Sequence, residues 1–228
     1  CTLLCANVLL AQTEFWVGNL RYEVTSTNPA EVEVDHADNY PIPITIANIP
    51  TTVSYEGTTY SVTSIGKYAF DNCSSLTSVN IPNSVTSIGD HAFNGCSSLT
   101  SVTIGNNVTS IGSYTFRDCS SLTSVTIGNS VTSIEKYAFD NCSSLTSIDI
   151  PNSVTEIGFY AFNDCTSLTS VTFGENVISI DVAFSSCSFL QNITCLATNP
   201  PTLFSNSFPY PNIATVTVPC GSLEAYSS

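Results

Sequence analysis

Val108-Thr-Ser-Ile-Gly-Ser-Tyr-Thr-Phe-Arg-Asp-Cys119-Ser-Ser-Leu-Thr-Ser-Val-Thr-Ile127-Gly-Asn-Ser130 is one copy of a text that returns every 23 residues. Copies begin at Val62, Val85, Val108, Val131 and Val154, each with its cysteine at the same place: Cys73, Cys96, Cys119, Cys142 and Cys165. A sixth copy from Val177 is one residue short and reaches Cys187. A fixed period of this length means a stack of short units, each contacting only its neighbours. Within the copy, Val108, Ile111, Phe116, Cys119, Leu122, Val125 and Ile127 are apolar and almost everything between is Ser, Thr, Asn or Gly. Neither a helical nor a strand period fits the whole unit, so the expectation is a closed coil. One short strand falls at Leu122–Ile127 and a second extended piece at Val108–Ile111.

The frame F-x-x-C-x-x-L-x-x-[IV]-x-[IL]-P, with its strand Leu122-x-x-Val-x-Ile127, resembles the BspA-like, Treponema pallidum-type leucine-rich repeat over about residues 62–195. The flanks are similar to members from Bacteroidetes: Ser54-Tyr-Glu-Gly-Thr-Thr-Tyr-Ser-Val62 before the repeats, and Cys195-Leu-Ala-Thr-Asn-Pro-Pro201 with Val218-Pro-Cys-Gly-Ser-Leu-Glu-Ala-Tyr226 after them. That resemblance implies a mainly β, right-handed solenoid of short parallel strands with loop or short-helix returns. It also implies a secreted or cell-surface location and a role in adhesion, with no catalytic residue and no cofactor.

Outside the repeats, residues 12–61 alternate and are punctuated by turns. Gly18-Asn and Tyr55-Glu-Gly-Thr58 mark hairpins, Glu31-Val-Glu-Val34 alternates, and Ile42-Pro-Ile-Thr-Ile46 resembles a proline-marked edge strand. This segment is expected to be an antiparallel β cap over the first coil, with an irregular C-terminal cap at 196–228. Residues 1–11 are an apolar run ending at Ala11, which reads as the remnant of a secretory signal peptide; a buried first strand is the alternative. That run is too short to span a bilayer, and no direct membrane insertion of the mature chain is expected.

The 4 Lys and Arg against 18 Asp and Glu give a net charge of −14 and exclude nucleic acid as a natural partner. Two histidines, His36 and His91, stand in unrelated contexts and no nucleophile motif accompanies them, so no enzyme is predicted.

The cysteine column and the phenylalanines Phe70, Phe93, Phe116, Phe139 and Phe162 are expected to be structural, the thiols packing as small hydrophobes. Zinc is disfavoured, since no C-x-x-C accompanies them. Cys195 and Cys220 flank the C-terminal cap and are a candidate disulfide.

Two groups of residues are candidates for binding. Outward strand positions, among them Ser101, Thr103, Ser124, Thr126, Asp149 and Thr172, form columns of small polar groups that offer hydrogen bonds to an extended ligand; β propensity alone also favours Thr there. Variation between copies concentrates just after the Ile and just before the Cys, around an aromatic column of Tyr68, His91, Tyr114, Tyr137 and Tyr160. That column is either a platform for protein or sugar, or a cover for the coil edge. Calcium shared by Asp118, Asp140 and Asp164 is a weaker alternative. The reading is an exported adhesion module for host or neighbouring-cell extracellular proteins or glycoproteins, of unspecified oligomeric state. The alternative is a passive spacer presenting another domain.

Overall fold

A computed structural model describes residues 14–35, 44–203, 207–208, 213, 215–219 and 222. The N-terminal signal remnant, His36, Ile42, Pro43 and Cys220 lie outside the described residues.

The chain opens with β1 (Glu14–Val17), β2 (Leu20–Thr27) and β3 (Ala30–Asp35), an antiparallel meander whose first turn is Gly18-Asn19. Gly18 stands at φ +64, the left-handed conformation a two-residue hairpin turn requires. Val32 and Val34 point inward, as their alternation predicts. A short strand, β4 (Ile46–Asn48), precedes the hairpin β5 (Thr52–Tyr55) and β6 (Thr58–Ile65), which turns at Glu56-Gly57. β3 pairs with β6 in parallel, although the cap is otherwise antiparallel. The reason is that Val62–Ile65, the end of β6, already forms the first coil and pairs in parallel with the second.

Each later coil contributes two strands. On one side run β7 (Ser78–Asn80), β9 (Ser101–Thr103), β11 (Ser124–Thr126), β13 (Ser147–Ile150), β15 (Ser170–Phe173), β17 (Asn192–Cys195) and β19 (Thr215–Thr217). On another run β8 (Ser87–Ile88), β10 (Ser110–Ile111), β12 (Ser133–Ile134), β14 (Glu156–Ile157), β16 (Ser179–Ile180) and β18 (Thr202–Leu203). All pairings among these strands are parallel and in register, Val79 with Val102 and Ile134 with Ile157, so identical residues stack into columns. The first side is two four-stranded sheets in succession, β4-β7-β9-β11 and β13-β15-β17-β19. The returns are turns, and the described residues contain no helix.

The solenoid therefore extends a strand beyond the recognisable repeats at both ends. Ile44-Thr-Ile-Ala-Asn-Ile-Pro50 takes the role of Leu76-Thr-Ser-Val-Asn-Ile-Pro82, with Ala47 opposite Val79. Ile46, expected to end a cap strand, begins a solenoid edge strand instead. At the other end Val216 lies opposite Ile193, and Phe208 stacks 5.3 Å from Phe184.

Phenylalanine rings form the axis of the core. Phe70, Phe93, Phe116, Phe139, Phe162 and Phe184 stack at centroid distances of 5.0–5.2 Å, with neighbouring planes within 12° of parallel. Beside them the buried thiols of Cys96, Cys119, Cys142, Cys165 and Cys187 each donate to a phenylalanine carbonyl of the preceding coil at 3.1–3.3 Å. A small apolar residue packs there, and its weak donor adds a second bond to a carbonyl that, at Phe70, Phe93, Phe116 and Phe139, already accepts the N–H of the cysteine three residues on.

Candidate functional site

Two surfaces run the length of the stack. The first is the outer face of the sheets that begin with β4 and β13. Ser101, Thr103, Ser124, Thr126, Ser147 and Asp149 are exposed there, with Thr172 half-buried, because strand geometry turns alternate side chains away from the core. A third column, Thr77, Thr100, Thr123, Thr146 and Thr169, borders them. The hydroxyls of Thr77, Thr100, Thr123 and Thr169 are fixed: Thr77 donates to the carbonyl of Thr45 at 2.8 Å, Thr100 and Thr123 to those of Thr77 and Thr100 at 3.1 Å, and Thr169 to that of Thr146 at 3.0 Å.

The second surface is a ridge bearing the aromatic column. Tyr68, His91, Tyr114, Tyr137 and Tyr160 all stand at positive φ, between 56° and 63°. At the first four this turns the N–H towards the next coil, where Tyr68 donates to Asp90, His91 to Ser113, Tyr114 to Lys136 and Tyr137 to Phe159. The rings then stack on one another: Tyr68–His91 at 4.9 Å, His91–Tyr114 at 4.6 Å and Tyr114–Tyr137 at 4.9 Å, while Tyr160 meets Tyr137 edge-on. Lys67 lies over Tyr68, and Arg117 and Lys136 lie over Tyr114. Burial in this stack pushes the His91 imidazole below its usual range; Asp71 and Asp90 oppose that shift, and Lys67 and Arg117 add to it. The ridge thus presents ring edges and phenol hydroxyls. A sugar face needs an open ring face, which His91 and Tyr114 do not have.

The acids before the cysteines are held by their neighbours. Asp140 is nearly buried, accepting from Asn163 at 2.8 Å and from Arg117 at 3.2 Å, and burial raises its pKa against those two partners. Asp118 accepts from Asn141 at 2.8 Å. These bonds tie successive coils with oxygens that a shared calcium would otherwise use. Among the described residues one group of three carboxylates converges, Glu14, Glu23 and Asp35, and Arg21 is set against Glu14 and Asp35. Cys73 is half-buried, and burial pushes its thiol up to about 11. Cys195 is buried on β17 opposite Phe173, and Cys220, its expected partner, lies outside the described residues.

Two features escaped the sequence reading, a backbone conformation and a set of substitutions. Asn72, Gly95, Asp118, Asn141 and Asp164 also stand at positive φ, and their restriction to Asn, Asp and Gly was the available signal. A set of departures from the repeat text on the sheet β10-β12-β14-β16-β18, at Glu135, Glu156, Glu175, Ile178 and Asp181, also went unread.

The model of the BspA type leucine rich repeat region matches residues 51–142 and 110–227, with six copies. No curated protein matches the sequence. Among solved structures, the T. pallidum leucine rich repeat protein is 29% identical, with a TM-score of 0.70 over 79% of this chain and 81% of that one. A leucine-rich repeat protein from Bacteroides ovatus is 28% identical, with a TM-score of 0.65 over 79% of this chain. The chain spans 55% of that relative's length. No helix among the described residues is long and apolar enough to cross a membrane. With the repeat match running almost to the C-terminus and the same coil in both relatives, the chain belongs to the BspA-type leucine-rich repeat family.

Proposed function

We propose that this chain is an exported, non-enzymatic adhesion module, secreted or held at the cell surface, that captures host or neighbouring-cell extracellular proteins or glycoproteins. The ligand lies along the Ser and Thr columns of the β7-β9-β11 and β13-β15-β17 face. Membership of a protein-interacting repeat family supports the general reading. The choice of face rests on one observation: exposed hydroxyl columns in register on a backbone that each coil fixes for the next. A face ordered in advance loses little conformational entropy when an extended ligand settles on it, so modest hydrogen bonds add up along its length. The aromatic ridge, its rings stacked on each other, is assigned to covering the coil edge.

The test is capture of immobilised extracellular-matrix and mucin glycoproteins by the purified protein. It is run beside a Thr103→Arg/Thr126→Arg variant and a Tyr114→Ser/Tyr137→Ser variant of known folded fraction. Saturable capture that falls at least tenfold in the arginine variant and persists in the serine variant supports the reading. Capture lost only in the serine variant moves the site to the ridge, and absence of capture by all three favours the spacer role.

A further inference from the structure

In a repeat protein the expected residue at an outward position is the one its neighbouring coils carry, so departures from the text mark places under a different demand. Across the sheet β10-β12-β14-β16-β18 and the turn before it the text is Asn-x-Val-Thr-Ser-Ile-Gly, as at Asn83–Gly89. The second and third coils carry no charge at those positions. The last three replace Gly by Glu135, Ser by Glu156, Asn by Glu175, Thr by Ile178 and Gly by Asp181. All five fall on one surface. Glu156 lies between Ser133 and Ser179 in the register, and Asp181 stands two coils beyond Glu135 in the same column. With a strand spacing of about 4.8 Å, that separation is roughly 10 Å.

Ile178 is 64% exposed on the last of these coils, between Glu175 and Asp181 in the sequence. It forms one wall of a groove of about 560 Å³ lined also by Thr155, Glu175, Asn176, Pro200 and Thr202. A large aliphatic side chain at a Thr position, beside an open groove, is an apolar contact that no described residue covers. Charge selects what covers it. After Lys136 the sequence contains no Lys or Arg, and the Lys136 ammonium lies 5.9 Å from the Tyr114 ring centre.

We propose that this groove is a docking site for a cationic segment of a partner protein, an aliphatic side chain flanked by Lys or Arg. The aliphatic group packs on Ile178 and Pro200, and the flanking cations meet Glu156, Glu175 and Asp181. Carboxylates around an apolar centre steer such a segment in and fix its register. The site is on a different sheet from the hydroxyl face, so either can fail while the other stands.

The probe is a fluorescent peptide, acetyl-Arg-Lys-Leu-Lys-Arg-amide, compared with its Ser-for-Leu counterpart by anisotropy against the full chain. Ile178→Thr and Glu156→Ser/Glu175→Asn restore residues that neighbouring coils already carry, so the fold is preserved. Glu31→Gln/Glu56→Gln removes the same charge from the N-terminal cap. The expected result is tighter binding of the Leu peptide, loss of that preference in Ile178→Thr, and about tenfold weaker binding of both peptides in Glu156→Ser/Glu175→Asn. The cap variant should match the parent. Equal affinity for the two peptides, equal weakening by the cap variant, or no saturable binding would overturn the proposal. The second of these outcomes means only diffuse attraction to an acidic chain.

Discussion

Tyr114 is held at φ +60, a conformation a bulky residue adopts at a cost, and it recovers that cost through His91 on one face and Tyr137 on the other. Stacked aromatic pairs contribute about 0.5–1.5 kcal/mol each, so Tyr114→Ser is expected to lower stability by about 1–3 kcal/mol. A denaturation midpoint that falls at unchanged slope would show it; an unchanged midpoint would return the ridge to the candidate binding faces. The cysteine column has a pH signature. Burial pushes Cys119 and Cys187 up to about 12, and Cys142 and Cys165 well above the usual thiol range. Unfolded thiols titrate near 8.5, so above that pH the unfolded chain releases protons that the folded chain retains. The thiol contribution is therefore complete below about pH 8 and is lost as pH rises towards the folded values. Cys119→Ala/Cys142→Ala should flatten the decline in stability above pH 9 by about 3 kcal/mol per pH unit. The burial of this column was legible because its period coincides with that of Phe and Leu. The left-handed conformation of the tyrosines was not, since nothing in a Tyr announces a positive φ.

At the scale of the element, coil spacing is set by backbone approach. The residue after the buried Ile81, Ile104, Ile127, Ile150 and Phe173 is Pro82, Gly105, Gly128, Pro151 and Gly174 in turn, and a Cβ added at Gly128 would lie 2.3 Å from the Gly105 carbonyl oxygen. Gly128→Ala must separate two coils or bend a strand, and it is expected to cost more than about 3 kcal/mol. The same substitution at Gly18 meets open space but a positive φ, and should cost about 1 kcal/mol. Thermal unfolding of the two variants gives the comparison, and equal shifts would contradict it. Strands within the 23-residue copies were legible from pattern alone, and so were the hairpins at Gly18-Asn19 and Glu56-Gly57, while the one between β2 and β3 was not read. The strand at Ile46–Asn48 was missed because its coil is interrupted. Thr77 donates to Thr45 across 32 residues, where later coils need 23, and the hairpin of β5 and β6 accounts for the excess. The strand at Thr215–Thr217 was missed for another reason. Its coil keeps the apolar pattern Ile213, Val216 and Val218 but lacks the Cys that defined the frame.

For the whole molecule, repetition leaves a uniform core and a surface on which differences become conspicuous. The core columns explain stability and nothing about ligands. The hydroxyl face was foreseen as a set of columns, while the acidic groove around Ile178 emerges only when the strands β14 and β16 are laid side by side. The central claim is that extended ligands lie on the face formed by β7, β9 and β11. Its most direct test places a photo-crosslinking p-benzoylphenylalanine at Thr103, at Thr126 and, separately, at Tyr114, and irradiates each protein with captured matrix or mucin glycoprotein. The account predicts crosslinks from positions 103 and 126 and none above background from 114. Crosslinks from 114 alone, or from none of the three in a protein that still captures, would contradict it.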